Sequence, residues 1–112
     1  MKMIKVEELH KEVNGNSYTR STYIVGRYEV CIDDAAYADG RTRRSISVTE
    51  PYESGCYLPK IYYNEDVFGE KAPDFSIQTT SYGALNSEEF QKFIADQNEA
   101  LEVVETLKKE LL

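Results

Sequence analysis

Tryptophan is absent from this chain of 112 residues, and it has only two cysteines, three prolines and one histidine. Each shortage removes a class of chemistry. His10 stands among glutamates and lysines, with no serine, cysteine or aspartate at a spacing that would build a catalytic dyad or triad. One histidine and two distant cysteines, Cys31 and Cys56, supply neither a zinc site nor a redox motif, and they do not outline a disulfide framework. Buried thiols in a reduced, cytoplasmic protein are the expectation. No apolar run is long enough to span a bilayer, so no membrane role is expected. The first residues, Met1-Lys2-Met3-Ile4-Lys5, lack the apolar stretch of a signal peptide.

Catalytic signatures are missing too. There is no glycine-rich phosphate loop and no nucleophile elbow. Pro73-Asp74 opens a metal-nuclease pattern, but Glu88-Glu89-Phe90-Gln91-Lys92 places no glutamate two residues before the lysine, and the match fails. Asp33, Asp34 and Asp39 superficially suggest a calcium loop. The ligand positions and the loop glycine do not fit that template, and a solvated turn is the better reading. The expectation is therefore a protein with no catalytic residues, no cofactor and no metal.

What is present is tyrosine and negative charge. Nine tyrosines and four phenylalanines suit half-exposed strands, where the ring packs on the pleat and the hydroxyl stays wet. The net charge of −7 is unevenly spread. Residues 1–48 carry eight basic and seven acidic side chains, and residues 49–112 carry five and thirteen. The acidic half disfavours direct binding to nucleic acid or anionic membrane and suits a basic protein partner.

The pattern along the chain predicts one α+β domain over 1–112: an antiparallel sheet of about five strands in residues 1–80, packed against a C-terminal helix over 86–111. Met3–Val13 fits both strand and helix periodicity. Asn14-Gly15 decides for a hairpin, because both central residues of a type I′ turn need positive φ. Ser17–Val25, Arg27–Ile32, Arg44–Thr49, Tyr57–Tyr63 and Asp74–Thr80 read as strands. Asp33–Arg43 reads as a loop, and Pro59 either places its strand on a sheet edge or breaks it early.

Asn86 is an N-cap with Glu89 three residues on, and Phe90, Phe93, Ile94, Leu101, Val104, Leu107 and Leu111 make one apolar stripe. A 25-residue helix is roughly 37 Å long, more than a short-stranded sheet covers. The expectation is that its first half lies on the sheet. Its second half, with Leu107 and Leu111, is expected to overhang and pair with a second copy as a homodimer.

Two surface clusters are candidates for function. Tyr52, Glu53, Tyr57, Tyr62, Tyr63, Glu65 and Asp66 form an acidic, aromatic edge that could anchor and steer a protein partner. Arg41, Arg43 and Arg44, beside Asp39-Gly40, are a candidate anion site; the alternative is that they pair with Glu99, Glu102 or Glu105 of the helix. The leading functional expectation is a non-enzymatic binding or accessory protein acting through protein–protein contacts. Two alternatives stand beside it. One is a phage or mobile-element inhibitor that imitates nucleic acid against a basic, nucleic-acid-binding defence enzyme. The other is a binder of a phosphorylated small molecule.

Overall fold

The computed structural model describes residues 1–50, 59–65, 70, 72–79 and 83–112. Strands β1 (Met3–Val13), β2 (Asn16–Val25), β3 (Tyr28–Ala36), β4 (Thr42–Thr49), β5 (Lys60–Asn64) and β6 (Ser76–Gln78) precede helix α1 (Ser87–Leu111). Each strand pairs antiparallel with the next, so the order in the sheet is the order in the chain. The α+β class expected from the pattern holds, with six strands in place of about five. Among the described residues no helix is long and apolar enough to cross a membrane.

The hairpin turns follow the residues that permit them. Asn14 and Gly15 sit at φ 53° and 82°, the paired positive values of a type I′ turn, and join β1 to β2 with two residues. Gly26, at φ 59°, begins the turn into β3. β3 then runs four residues beyond Ile32, through Asp33 to Ala36, where a loop was expected. Aspartate is a poor strand former, but cross-strand charge compensates here. Asp33 lies opposite Arg20 on β2 and Asp34 opposite Arg44 on β4, and each pair is bonded. Pro59 is fully buried just before β5, where its missing N–H costs the ladder nothing. Tyr57, Leu58 and Thr80, at the ends of two expected strands, lie outside the described residues.

Alternation gives the sheet two unlike faces. Val25, Tyr28, Val30, Ile32, Ile46, Val48, Ile61 and Tyr63 point to one side and are buried there under Ala100, Val103, Val104 and Leu107 of α1. The opposite side carries Tyr18, Arg20, Thr22, Cys31, Asp33, Arg43, Ser45 and Tyr62, and among the described residues no helix lies over it.

The helix begins as its sequence predicts. The Asn86 side chain accepts from the Glu89 N–H at 2.9 Å, and the Glu89 carboxylate accepts from the Asn86 N–H at 3.2 Å, completing a capping box. Its seating is the reverse of the expectation. The second half lies on the sheet, with Leu107 and Val103 at 0% exposure, whereas Phe90 and Ile94 in the first half are 52% and 44% exposed. Arg27, in the β2–β3 turn, holds Asp96 and Glu99 and so fixes where the helix crosses onto the sheet. N-terminal to that clamp the Phe90 and Phe93 rings stack on each other, with centres 6.4 Å apart. At the other end Lys108 reaches Asp74 at 3.0 Å. Leu107 is therefore core, and a helix-mediated dimer cannot use it.

Candidate functional site

The arginine cluster separates when it folds. Successive strand residues face opposite sides, so Arg43 points to the open face and Arg44 to the helix face. Arg44 donates to Asp34 from Nε at 2.7 Å and from Nη2 at 3.2 Å, and Asp34 raises its pKa further. Arg41 donates to Asp39 at 2.6 Å and lies over the Tyr37 ring, 5.6 Å from its centre. None of these partners belongs to the helix. The three aspartates that suggested a cation loop are likewise dispersed among three arginines. Among the described residues no group of three or more histidine, cysteine, aspartate or glutamate side chains could hold a metal.

The tyrosine-rich edge divides in the same way. Tyr62 is half-buried on the open face, but Tyr63 is 2% exposed, packed against Phe75 in the core. Tyr63 presents nothing to a partner. Glu65 is half-buried at the helix face beside Arg44. Tyr52, Glu53, Tyr57 and Asp66 lie outside the described residues.

A different set of side chains converges where the two long hairpins end. On the open face a shallow groove of about 570 Å³ is lined by Leu9 and Lys11 from β1, Tyr18 and Arg20 from β2, Asp33 from β3, Tyr37 from the turn, and Arg43 and Ser45 from β4. Its floor is set by the strand register, which places Leu9, Arg20 and Asp33 in one row and Lys11, Tyr18, Ala35 and Arg43 in the next.

The hairpin tips are tied together. Asn16 Oδ1 accepts from the Ala38 N–H at 2.9 Å, and a Cβ on Gly15 would lie 3.3 Å from the Ala38 methyl. The β3–β4 turn is closed by Tyr37 N–H to the Arg41 carbonyl at 2.8 Å and Gly40 N–H to the Tyr37 carbonyl at 2.9 Å. Asp39 accepts from the Arg41 N–H at 3.1 Å, and this bond is the main reason its carboxyl titrates below the ordinary aspartate value. The Tyr37 ring is thereby held edge-on to Tyr18, with centres 6.4 Å apart and planes at 86°.

Electrostatically the groove is positive on an acidic molecule. Arg20 is engaged by Asp33 through two bonds, at 2.7 and 3.0 Å. Lys11 and Arg43 make no ion pair among the described residues, and both are exposed. The arrangement offers two orthogonal aromatic surfaces and two uncommitted cations, which suits binding an anionic, partly apolar group.

Cys31, further along the open face, has its thiol pushed up mainly by burial and also by Glu29, so it stays protonated. His10 points to the other side of β1, where its ring nitrogens lie 3.0 Å from Thr19 Oγ1 and 3.4 Å from Glu12.

Local sequence gave no warning of this groove, because its residues come from five separate segments. The alternation that separates Arg43 from Arg44 was missed as well, because the sequence pattern puts Arg43 in the loop before the strand, whereas β4 begins at Thr42. Comparison with protein-family models, curated proteins and solved structures finds no match for this chain.

Proposed function

We propose that this is a small non-catalytic binding protein that acts through protein–protein contacts, with the groove between the hairpin tips as its recognition surface. The observation that carries the proposal is the orthogonal Tyr18–Tyr37 pair beside Lys11 and Arg43. Tyrosine provides a large, stiff contact area at low entropic cost, and uncommitted cations at a rim steer an acidic segment into register. The supported partner is therefore one that presents carboxylates and an apolar anchor. A basic partner for the acidic edge has less support, because in the described part of that edge Tyr63 is buried and Tyr62 and Glu65 are half-buried on opposite faces. A reducing, cytoplasmic setting belongs to the same proposal and rests on the free thiol of Cys31.

The test is affinity capture from host lysate with wild type, with Lys11→Glu/Arg43→Glu, and with Glu102→Gln/Glu105→Gln on the outer helix face. A partner held by wild type and the helix variant, but lost from the groove variant, supports the reading. Equal capture by all three sinks it.

A second reading is favoured by the same two cations, namely a small phosphorylated ligand in the groove. With no tryptophan in the chain, its fluorescence comes from nine tyrosines, and the share of Tyr18 and Tyr37 is isolated by comparison with Tyr18→Phe/Tyr37→Phe. Saturable quenching by a nucleoside monophosphate that disappears in Arg43→Ala would move the assignment to that ligand class.

A further inference from the structure

Among the described residues β1 is a free edge of the sheet, 11 residues long, with Ile4, Val6 and Leu9 each 56% exposed and Val13 38% exposed. A long edge strand with exposed apolar side chains is a template for another strand. We infer that its occupant is the β1 strand of a second copy of this chain, paired antiparallel about a two-fold axis through Leu9.

The register follows from backbone geometry and charge. The two-residue type I′ turn makes Val13 and Asn16 a hydrogen-bonded pair. Hydrogen-bonded and non-hydrogen-bonded pairs alternate, so Lys11, Leu9 and Glu7 also direct their N–H and C=O groups toward β2. Those of Glu8, His10 and Glu12 therefore point outward. A two-fold pairing must set outward groups against outward groups, which restricts the axis to pass through a residue and never between two. The ladder is regular from Glu7 to Val13, beyond the bulge at Val6.

Within that stretch, axes at Glu7, Glu8, Lys11 or Glu12 oppose a charge with its own copy. An axis at His10 sets Glu8 against Glu12 twice. An axis at Val13 would pair the strand with its own turn residues Asn14 and Gly15. An axis at Leu9 opposes no like charges. It places Leu9 on Leu9, Glu7 against Lys11 on the open face, and Glu8 against the imidazole of His10 on the other. Both contacts occur twice by symmetry. Glu7 and Lys11 have no competing ion pair among the described residues and carry the register, whereas Glu8 already holds Lys5 and His10 lies 3.4 Å from Glu12. The two sheets then become continuous, and the two grooves, each lined by Leu9 and Lys11, lie side by side across the axis. The pairing shares Leu9 and Lys11 with the groove, so it commits Lys11 to Glu7 of the second copy and leaves Arg43 as the groove's free cation. Arg43→Glu alone tests the groove without touching the pairing.

The test combines mass with a register-specific cross-link. Sedimentation equilibrium of wild type is expected to give twice the 12.9 kDa chain mass. Lys11→Glu and Glu7→Lys each replace the symmetric attractions by repulsions and should weaken the dimer by about tenfold or more, while the double swap Glu7→Lys/Lys11→Glu restores it. In a Cys31→Ser/Cys56→Ser background, Leu9→Cys should form an intermolecular disulfide on mild oxidation. A non-hydrogen-bonded antiparallel pair has Cα atoms ~4.5 Å apart, within disulfide reach. Val13→Cys, several residues from its copy, should not. A monomeric wild type overturns the inference. So does a dimer indifferent to the charge swap, or one that cross-links through Phe90→Cys or Leu101→Cys on the helix and not through Leu9→Cys.

Discussion

Arg27, in the turn between β2 and β3, donates from Nη2 to Asp96 Oδ1 at 2.8 Å across 69 residues of sequence. Its Nε also donates to both carboxylate oxygens of Glu99, at 3.1 Å each. Asp96 is only 6% exposed and faces the sheet, so Arg27 is what makes its burial tolerable. Arg27→Ala should therefore lower stability by about 3 kcal/mol, the cost of leaving a buried carboxylate without its counter-charge. Asp96→Ala on top of it should recover part of that loss. A double-mutant cycle in urea measures the coupling, and additive losses would mean that the clamp does not hold the helix.

The same clamp explains a contrast between two leucines on α1. Leu107 is fully buried and Leu101 is 53% exposed, although both belong to one apolar stripe in the sequence. Leu107→Ala should cost about 3 kcal/mol through lost burial and the cavity left behind. Leu101→Ala should stay within about 0.5 kcal/mol. Thermal or urea unfolding of the two variants separates them directly.

Most of the fold was legible in the sequence, and the misreadings share a physical cause. Strand alternation, Asn14-Gly15 and the Asn86–Glu89 box are local signals, and each produced the element it predicts. The seating of the helix depends on what lies opposite. Phe90, Phe93 and Ile94 are larger than Ala100, Val103 and Val104, yet the smaller side chains are the buried ones. The buried residues Val25, Tyr28 and Val30 lie close to the β2–β3 turn, and Arg27 ties residues 96–99 to that turn. Neither fact is visible within the helix. The strand character of Asp33–Ala36 was hidden similarly, because the arginines that neutralise Asp33 and Asp34 come from neighbouring strands. The groove was the least legible feature. Lys11, Tyr18, Tyr37 and Arg43 become neighbours only through the meander order and the tied hairpin tips.

Tyr28 presents the opposite case to Asp96. Its ring is fully buried, and its hydroxyl has no hydrogen-bond partner among the described residues. Burial, together with Glu99 and Asp96, pushes the phenol well above its ordinary value, so the group is neutral at any physiological pH. Tyr28→Phe removes an unsatisfied hydroxyl while keeping the packing, and should stabilise the protein by about 1 kcal/mol. A rise in the urea midpoint with unchanged slope is the expected result. A loss of more than about 1 kcal/mol would show that the hydroxyl has a partner after all.

Acid sensitivity should localise partly to the contact between the end of α1 and the segment leading into β6. Lys108 Nζ lies 3.0 Å from Asp74 Oδ1, and the Phe75 N–H donates to the same carboxylate at 2.7 Å. Both interactions hold the Asp74 carboxyl below its ordinary value, the lysine being the larger cause. A depressed folded-state pKa means that the contribution to stability is fully present above the unfolded value of about 3.9 and disappears as pH falls through the lower folded value. Lys108→Met should move the Asp74 midpoint upward, though not all the way, because the Phe75 N–H remains. Carboxyl chemical shifts followed between pH 2 and 6 read that midpoint directly. The stability difference between wild type and Lys108→Met should be constant near neutrality and shrink toward zero in acid. A difference independent of pH would assign the lysine's effect to packing of its methylene stem, with no part for the ion pair.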